Sequence, residues 1–304
     1  MDIRFIKELK KMKYFDDNIQ YYVISDLHGQ GIIYDNMINW LESEQIRTGK
    51  KICLIVNGDI IDRGNSSVRI LVDVMDRVNR KKGNIDVVML PGNHEEMMLT
   101  ALEYNLKNGT WDNSQKATLS NLWFDPDNHG LETLQELKNL SSDKIDELIE
   151  FLRSLPLYCS IKSKIDGYNS YTIVHACPPS NAMISTNVPT LGMIVNDKKY
   201  QVLRECLIWR KENHPTETIS LPDKNVITII GHTPVDNESG FALTENNKLL
   251  MIDGGCALMA DNPNHDLLHP KVASLLELSD IPGKTCIRPF GGKEQMDMRE
   301  GRKR

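Results

Sequence analysis

Acidic, imidazole and amide side chains recur in short turns that directly follow apolar runs of the sequence. Five such turns are spread along the chain, with the sequences SDLHG, GDIIDRG, GNHE, HACPPS and GHTP. These side chains do not follow the periodicity of a helix or strand face, so amphipathic packing does not explain them. Mixed carboxylate and imidazole ligands suit Mn²⁺, Fe or Zn²⁺ better than Mg²⁺ or Ca²⁺. The pattern therefore predicts a metal site assembled from several turns.

The number of candidate ligands fits two divalent ions. Asp26, His28 and Asp59 would hold the first ion. The second ion would share Asp59 and take three further ligands, Asn93, His175 and His232. Two carboxylates offset half of the four positive charges and a bridging hydroxide removes one more, which leaves a positive centre for an anionic phosphate. The sequence thus predicts phosphate-ester hydrolysis at two metal ions, with Mn²⁺ as the first choice and Fe or Zn²⁺ as alternatives.

Each turn also has an explanation that involves no ligand. Asp59, Asp62 and Arg63 in GDIIDRG would form a surface ion-pair turn about as readily. The GNHE turn suits a helix N-terminus with its Asn as the cap and acidic residues in the first turn, and this role is compatible with catalysis. His175 and His232, each taken alone, are more often core or turn histidines than metal ligands. Only the combination of the five turns favours the metal site.

The same turns predict the elements that position them. Six apolar runs read as buried strands, at residues 21–24, 52–56, 87–90, 171–174, 226–230 and 249–252. Apolar residues at helical spacing follow the first two runs, at Ile32, Ile33, Met37, Trp40 and Leu41 and then at Ile70, Leu71, Val74, Met75 and Val78. Strand–loop–helix units of this kind indicate an α/β sheet, whose binding groups collect beyond the carboxyl ends of the strands.

The boundaries of the domain follow from the same pattern. We expect one domain over residues 1–282, with a helical insert at about 96–155, and a polar, mobile tail over 283–304. The apolar positions of the insert suit packing on the body of the domain, at Leu119, Leu122, Trp123, Leu131, Leu134 and Leu137. The turn FDPDNHG within the insert differs, because Asp125, Asp127 and His129 are polar. We expect it to form an acidic rim that disfavours polyphosphates and favours phosphopeptides with basic flanks.

The bulk composition restricts the classes of function. A formal charge of −6 gives no basic footprint for a nucleic-acid backbone, so no nucleic-acid partner is expected. No apolar run approaches the roughly 20 residues of a membrane span, so no membrane partner is expected either. Six scattered cysteines indicate free thiols in a reducing compartment. We expect a cytoplasmic protein, although a secreted effector without a cleavable signal would have the same composition.

The ordered series SDLHG, GDIIDRG, GNHE, a strand-end histidine and GHTP resembles the metallophosphoesterase superfamily. The D-R-G triplet narrows the resemblance to the phosphoprotein phosphatase group, which includes bacterial serine/threonine phosphatases and symmetrical diadenosine tetraphosphatases. The similarity covers about residues 21–253, including the segments NHGLETLQEL and FLRSLPLY. It implies an α/β fold, a calcineurin-like sandwich of two mixed β-sheets flanked by helices, with a helical insert.

The resemblance also implies roles for individual residues, beginning with the ligand set proposed above. His94 would be the general acid toward the leaving oxygen, and Asp62 would hold it. Arg63 would bind the substrate phosphate, together with Asn93 and His94. In the segment LIWR, Arg210 is the candidate for a second phosphate-binding arginine, and a plain surface arginine beside a lysine is the alternative.

The implied reaction is hydrolysis of a phosphomonoester by direct attack of a bridging metal-bound hydroxide, without a covalent phosphoenzyme. The first expected substrate is a protein or peptide carrying phosphoserine or phosphothreonine, with phosphotyrosine as an alternative. Departures from the family pattern at Ser25, His129 and the HACPPS turn leave every ligand in place, and the last two fall where selectivity is expected to be set. Two rivals are a symmetrical diadenosine tetraphosphate hydrolase or other nucleotide phosphohydrolase, and an inactive binding scaffold. The intact ligand set disfavours the scaffold.

Overall fold

The structure is a computed structural model that describes residues 13–108, 122–177, 188–211, 226–235, 239–243, 248–257, 272–281 and 284–291. Within these ranges the strands are β1 (Lys13–Tyr14), β2 (Ile19–Ile24), β3 (Lys51–Asn57), β4 (Asp86–Leu90), β5 (Tyr158–Lys162), β6 (Ser170–Val174), β7 (Val226–Ile230), β8 (Ala242–Leu243), β9 (Leu249–Met251), β10 (Val272–Leu278) and β11 (Cys286–Gly291). All six strands predicted from apolar runs are present, displaced by at most two residues at either end.

The described helices lie mostly between the strands. They are α1 (Gly31–Thr48), α2 (Ser67–Val78), α3 (Asn93–Asn108), α4 (Gly130–Leu137), α5 (Ser142–Ser154), α6 (Leu191–Asn196) and α7 (Gln201–Arg204). A π-helical turn, Glu205–Trp209, continues α7 directly. A short 3₁₀ turn, Pro126–Asn128, precedes α4.

The strands form two mixed sheets. The five-stranded sheet has the order β11-β10-β2-β3-β4, with β2, β3 and β4 parallel to one another and β10 antiparallel to β2. The six-stranded sheet has the order β1-β5-β6-β7-β9-β8, with β6, β7 and β9 parallel. Because the carboxyl ends of parallel strands meet at one edge of a sheet, the loops after these six strands can converge.

The two sheets share one apolar core. Successive side chains of a strand point to opposite faces, so Tyr21 and Val23 of β2 enter the core between the sheets, where Ile173 of β6 also lies. Tyr22 and Ile24 point outward and pack in a second core that includes the helices. This architecture confirms the predicted sandwich of two mixed sheets flanked by helices.

Two predicted core positions are wrong. Ile32 is 56% exposed, because the buried face of α1 is formed by residues such as Ile33 and Met37. Leu131 is 44% exposed on α4, whereas Leu134 of the same helix is buried. The remaining apolar positions of the insert are buried or half-buried where the structure describes them, and Leu119 lies outside the described residues.

The start of the predicted tail is also different from the expectation. Cys286–Gly291 forms β11, which pairs antiparallel with β10 along its whole length. Phe290 of this strand is buried and contacts Trp40 of α1, and Arg288 lies 4.5 Å from the centre of the Trp40 ring. Residues 286–291 therefore belong to the sheet, and the prediction of a mobile tail is wrong for them.

The composition-based expectations concern cysteines and membrane spans. None of the six cysteines, all of which lie in the described residues, forms a disulfide, as predicted. Cys53, Cys177 and Cys256 are buried, whereas Cys286 is exposed. Among the described helices, none combines the length and the apolar character that crossing a membrane requires.

Candidate metal centre

The predicted ligands lie in loops at the carboxyl ends of the parallel strands, where the two sheets meet. Asp59 follows β3 and lies between histidines from both sheets. Its Oδ2 atom is 3.8 Å from Nε2 of His28, which follows β2, and 3.4 Å from Nε2 of His175, which follows β6. The structure thus brings one carboxylate into reach of imidazoles that are 147 residues apart in the sequence, from 28 to 175.

The backbone of this region is held in an unusual conformation. Eight non-glycine residues of the described chain have positive φ, and six of them are predicted site residues, namely Asp26, His28, Asp59, Asp62, Arg63 and His232. Such conformations cost energy and persist only where the surroundings impose them. Hydrogen bonds between the first two loops do so: Asp26 N–H donates to Gly58 O at 3.1 Å, and His28 N–H to Asp59 O at 2.9 Å.

Glu95 fixes the loop that carries Asp59. Its fully buried carboxylate accepts hydrogen bonds from the backbone N–H groups of Asp59 at 2.8 Å, Ile60 at 3.0 Å and Gly92 at 2.7 Å. Burial, together with the charge of Asp59, raises the pKa of Glu95 to about 7. Gly92 has to be glycine, because a Cβ there would lie 2.1 Å from Asp59 Oδ1. The sequence predicts Glu95 only as an acidic residue in the first turn of a helix, and this positioning role is not visible in it.

Each of the three candidate histidine ligands uses one ring nitrogen to hold its orientation. His28 Nδ1 lies 2.9 Å from Ile61 O, and His175 Nδ1 lies 2.9 Å from Asn57 O. His232 Nε2 lies 3.1 Å from Trp209 O. Because a carbonyl only accepts, the bonded nitrogen carries the proton, and once the ring is neutral the other nitrogen presents a lone pair to the centre. Metal-binding histidines are oriented in the same way.

Among the described residues, two groups of side chains could each hold an ion. His28, Asp59 and His94 form one, and Asp59, His175 and His232 form the other, with the ligand atoms of each group within 4.8 Å of one another. Asp59 belongs to both groups, as expected for a bridging carboxylate. The first group contains His94 where the sequence predicted Asp26, whose carboxylate here accepts from the backbone N–H of His232 at 3.0 and 3.1 Å.

The charges of the buried groups fit bound cations. Burial and the neighbouring Asp253 raise the pKa of Asp26 well above its usual value, and burial raises the pKa of Asp253 to about 6. Burial and the charge of His175 lower the pKa of His232 to about 4, so this imidazole is neutral, as a ligand must be. Burial lowers the pKa of His175, but the Asp59 carboxylate more than offsets this and raises it to about 10. Buried carboxylates beside the neutral imidazole of His232 suit divalent ions.

His94 and Asp62 form a buried pair beside this cluster. His94 Nδ1 is 2.7 Å from Asp62 Oδ2, so Nε2 is the nitrogen left for chemistry. Two residues of the insert also donate to the Asp62 carboxylate, Trp123 through Nε1 at 2.9 Å and Thr133 through Oγ1 at 2.5 Å. From the sequence, Trp123 is predicted to serve packing alone, and Thr133 is not predicted as a site residue.

The π-helical turn positions the other side of the centre. Its carbonyl groups accept from the two residues after His175, with Ala176 N–H donating to Leu207 O at 3.0 Å and Cys177 N–H to Cys206 O at 3.0 Å. Trp209, the last residue of the turn, accepts from His232. The buried carboxylate of Glu96 on α3 receives hydrogen bonds from the Trp209 indole and from Arg204, which fixes the turn on the body of the protein.

A cleft of ≈ 720 Å³ opens above the cluster. Arg63 and Lys211 contribute positive charge to its wall, and Arg63 Nη1 lies 3.3 Å from His28 Nε2. Arg210 is exposed and does not line this cleft. The lining residues are His28, Asp59, Arg63, Asn93, His94, Leu122, Asp127, Asn128, His129, Trp209, Lys211, His232, Pro234, Asp253 and Ala257.

Comparisons with known proteins agree with this architecture. A family model for calcineurin-like phosphoesterases matches residues 19–268. A protein serine/threonine phosphatase from Saccharomyces cerevisiae is similar in structure, with a TM-score of 0.56 and 16% identity over 95% of this chain and 86% of that chain. A cold-active protein-tyrosine phosphatase of the psychrophile Shewanella sp. has a TM-score of 0.52 and 18% identity over 93% of this chain and 84% of that chain. No curated protein matches the chain in sequence.

Proposed function

Because the chain belongs to the calcineurin-like phosphoesterase family, we propose that it is a phosphomonoesterase with two divalent metal ions, acting on phosphorylated proteins or peptides. The observation that carries the proposal is the position of Asp59, which is shared by two ligand groups at the base of the cleft. A pair of ions sharing a carboxylate can stabilise both the attacking and the leaving oxygen of a phosphoryl transfer.

The residues present fit the metal ions that the family implies. His28 and Asp59, with Asp26 or His94, would hold one ion, and Asp59, Asn93, His175 and His232 would hold the other. When bound, the ions would supply Lewis-acid chemistry, polarising the phosphate oxygens and lowering the pKa of water. The mixed nitrogen and oxygen donors favour Mn²⁺, with Fe or Zn²⁺ as alternatives.

The side chains around the centre have separate tasks. Arg63 and Lys211 place positive charge in the wall of the cleft, where they would bind and orient the anionic phosphate. His94 would hold a proton on Nε2 and donate it to the leaving oxygen, while its Nδ1–H stays hydrogen-bonded to the Asp62 carboxylate. The buried Asp62 would stabilise the protonated imidazole and keep the ring in one orientation.

The rim of the cleft favours a peptide substrate over a dinucleotide. We define the rim as the cleft-lining residues of the insert, Leu122, Asp127, Asn128 and His129. The carboxylate of Asp127 would repel a polyphosphate chain more than a single phosphate on a basic peptide. The similar structures described above are protein phosphatases, one specific for serine/threonine and one for tyrosine, which is consistent with either type of phosphoamino acid.

Rates on three substrates test the proposal. With Mn²⁺ supplied, we expect a phosphoserine or phosphotyrosine peptide with basic flanks to be hydrolysed with a higher kcat/KM than diadenosine tetraphosphate. Production of ADP from the dinucleotide at a higher kcat/KM than peptide hydrolysis would assign the chain to nucleotide hydrolysis. Absence of activity on all three substrates in metal-loaded protein would support the binding-scaffold alternative.

A further inference from the structure

The Asp62 carboxylate is held by donors from two parts of the chain. It has no exposed surface, and three side chains donate to it. Oδ2 accepts from His94 Nδ1 at 2.7 Å and from Trp123 Nε1 at 2.9 Å. Oδ1 accepts from Thr133 Oγ1 at 2.5 Å. Because the insert bonds to both oxygens, the plane of the carboxylate is fixed independently of His94.

The turn that carries Trp123 directs the indole toward the protein interior. Leu122 O accepts from Asp125 N–H at 3.1 Å and from the Asn128 side chain at 2.8 Å, which closes the turn. Gly130 then passes directly against the tryptophan, since a Cβ there would lie 2.1 Å from Trp123 O and 2.6 Å from its Cδ1. Residues of the same turn line the cleft, so one short segment faces both the substrate space and the buried carboxylate.

A second contact fixes α4, the helix that carries Thr133, to the GDIIDRG loop. The Glu136 carboxylate accepts from the backbone N–H groups of Ser67 at 3.1 Å and Val68 at 2.9 Å, at the beginning of α2. Ser67 Oγ in turn accepts from the backbone N–H of Asp62 at 2.9 Å. The backbone and the side chain of Asp62 are therefore both positioned through the insert. A packing role for the insert alone would not require these polar contacts.

We propose that Trp123 and Thr133 are positioning residues for proton donation, which orient Asp62 and through it the His94 ring. This inference rests on the proposed function, in which His94 is the general acid. Without the two donors the carboxylate could rotate, and His94 Nε2 would lose its fixed direction toward the leaving oxygen. The loss would fall on the transition state of esters whose leaving group needs a proton, and less on substrate or metal binding.

Two conservative substitutions test the inference, each with the same change at another position as its control. Trp123→Phe removes the indole N–H, and Trp40→Phe is the same change at a half-buried tryptophan of α1. Thr133→Val removes the hydroxyl, and Thr228→Val is the same change at a buried threonine of β7 whose hydroxyl has no hydrogen-bond partner in the described chain. Thr133→Ser keeps the hydroxyl that donates to Asp62 and removes only the methyl group. Kinetics with Mn²⁺ are measured on phenyl phosphate, a poor leaving group, and 4-nitrophenyl phosphate, a good one.

We expect Trp123→Phe and Thr133→Val each to lower kcat on phenyl phosphate by roughly tenfold, since each removes a hydrogen bond to a charged group. The loss on 4-nitrophenyl phosphate should be much smaller, KM and bound metal should be unchanged, and Thr133→Ser should recover most of the rate. In metal-free protein, the resonance of the His94 Nδ1 proton should move in both insert variants and stay in place in Trp40→Phe and Thr228→Val.

Equal losses on both esters, or rates like those of the controls, overturn the positioning role. His94→Asn separates this failure from failure of the proposed function. If His94→Asn shows a loss that depends on the leaving group while the insert variants do not, only the positioning role is wrong. If wild-type protein hydrolyses neither ester, or His94→Asn affects both equally, the proposed function fails and the inference fails with it. Should Trp123→Phe not fold, the comparison of Thr133→Val with Thr133→Ser decides the question.

Discussion

The floor and the rim of the cleft are built in opposite ways. The floor consists of the metal-ligand loops, where Asp59 and His175 are fully enclosed and the backbone is held at positive φ by neighbouring loops. At the rim, Asp127 is exposed and lies in a short 3₁₀ turn. Removing one hydrogen-bond partner of a buried polar group is energetically costly, whereas the interactions of an exposed charge are weakened by solvent screening.

This contrast separates two kinds of substitution. Changes in the floor should alter the chemistry for every substrate, because the metal ligands and the acid act on the phosphate group itself. Changes in the rim should alter the choice among substrates by small factors and leave the hydrolysis of a small ester intact.

Asp59→Asn should have the largest effect, because one side chain serves both ligand groups. We expect kcat on any ester to fall by roughly 10³-fold or more, since a Lewis acid contributes several kcal/mol to the transition state. Elemental analysis of the purified variant should show that both ions are lost or strongly depleted. A variant that kept two tightly bound ions and normal rates would rule out the bridging role.

His94→Asn should lower kcat on phenyl phosphate by about 10²-fold or more, because general acid catalysis contributes about 10²–10⁴-fold. KM and the metal content should stay close to those of the wild type if His94 acts as the acid. His94 also lies within reach of His28 and Asp59, so the metal content is the informative control. A variant that loses one ion would instead identify His94 as a ligand.

Glu96→Gln should weaken metal binding, although Glu96 is not itself a candidate ligand. The carboxylate holds Arg204 and the Trp209 indole, and Trp209 O accepts from His232. Mutation of a residue that orients a metal ligand typically lowers the metal affinity 10–100-fold. We therefore expect Mn²⁺ to bind about tenfold more weakly. Glu103→Gln is the matched control, because Glu103 is a buried acid of the same helix that pairs with Arg153 outside the site. Equal Mn²⁺ affinities of the two variants would contradict this link.

Asp127→Asn should have the smallest effect and should depend on the substrate. We expect kcat/KM on a basic-flanked phosphopeptide to fall about two- to fivefold, as for other exposed charge pairs, and the rate on 4-nitrophenyl phosphate to stay constant. Asp125→Asn serves as the control, because Asp125 lies in the same turn but does not line the cleft. A similar loss for both variants would show that the peptide does not approach the rim.

The sequence predicts the floor well because its determinants are local. A buried strand followed by a turn with Gly and an acid or histidine is visible in a few consecutive residues, and the fold then brings those turns together. The residues that orient the ligands were missed because their contacts join distant segments. Thr133 is 71 residues from Asp62, and Trp209 is 23 residues from His232. Asp253 was not predicted as a site residue, because its turn contains no histidine.

The wall of the cleft after the π-helical turn is harder to predict from the sequence, because it depends on irregular backbone. The segment LIWR suggested Arg210 as a phosphate-binding residue, and that role remains untested. The structure places Lys211, the next residue, in the wall of the cleft. Arg210 N–H closes the π-helical turn on Glu205 O at 2.8 Å, and such a turn takes up one more residue than an α-helical turn. Sequence spacing alone does not reveal this shift.

Titration of metal-free protein with Mn²⁺ tests the central claim, that two ions share Asp59, most directly. Bound metal is followed by calorimetry and hydrolysis of phenyl phosphate is followed in the same samples. We predict two ions per chain at saturation, with full activity reached only when the second site fills, and no such two-site binding in Asp59→Asn. Full activity at one ion per chain, with no further binding, would contradict the account.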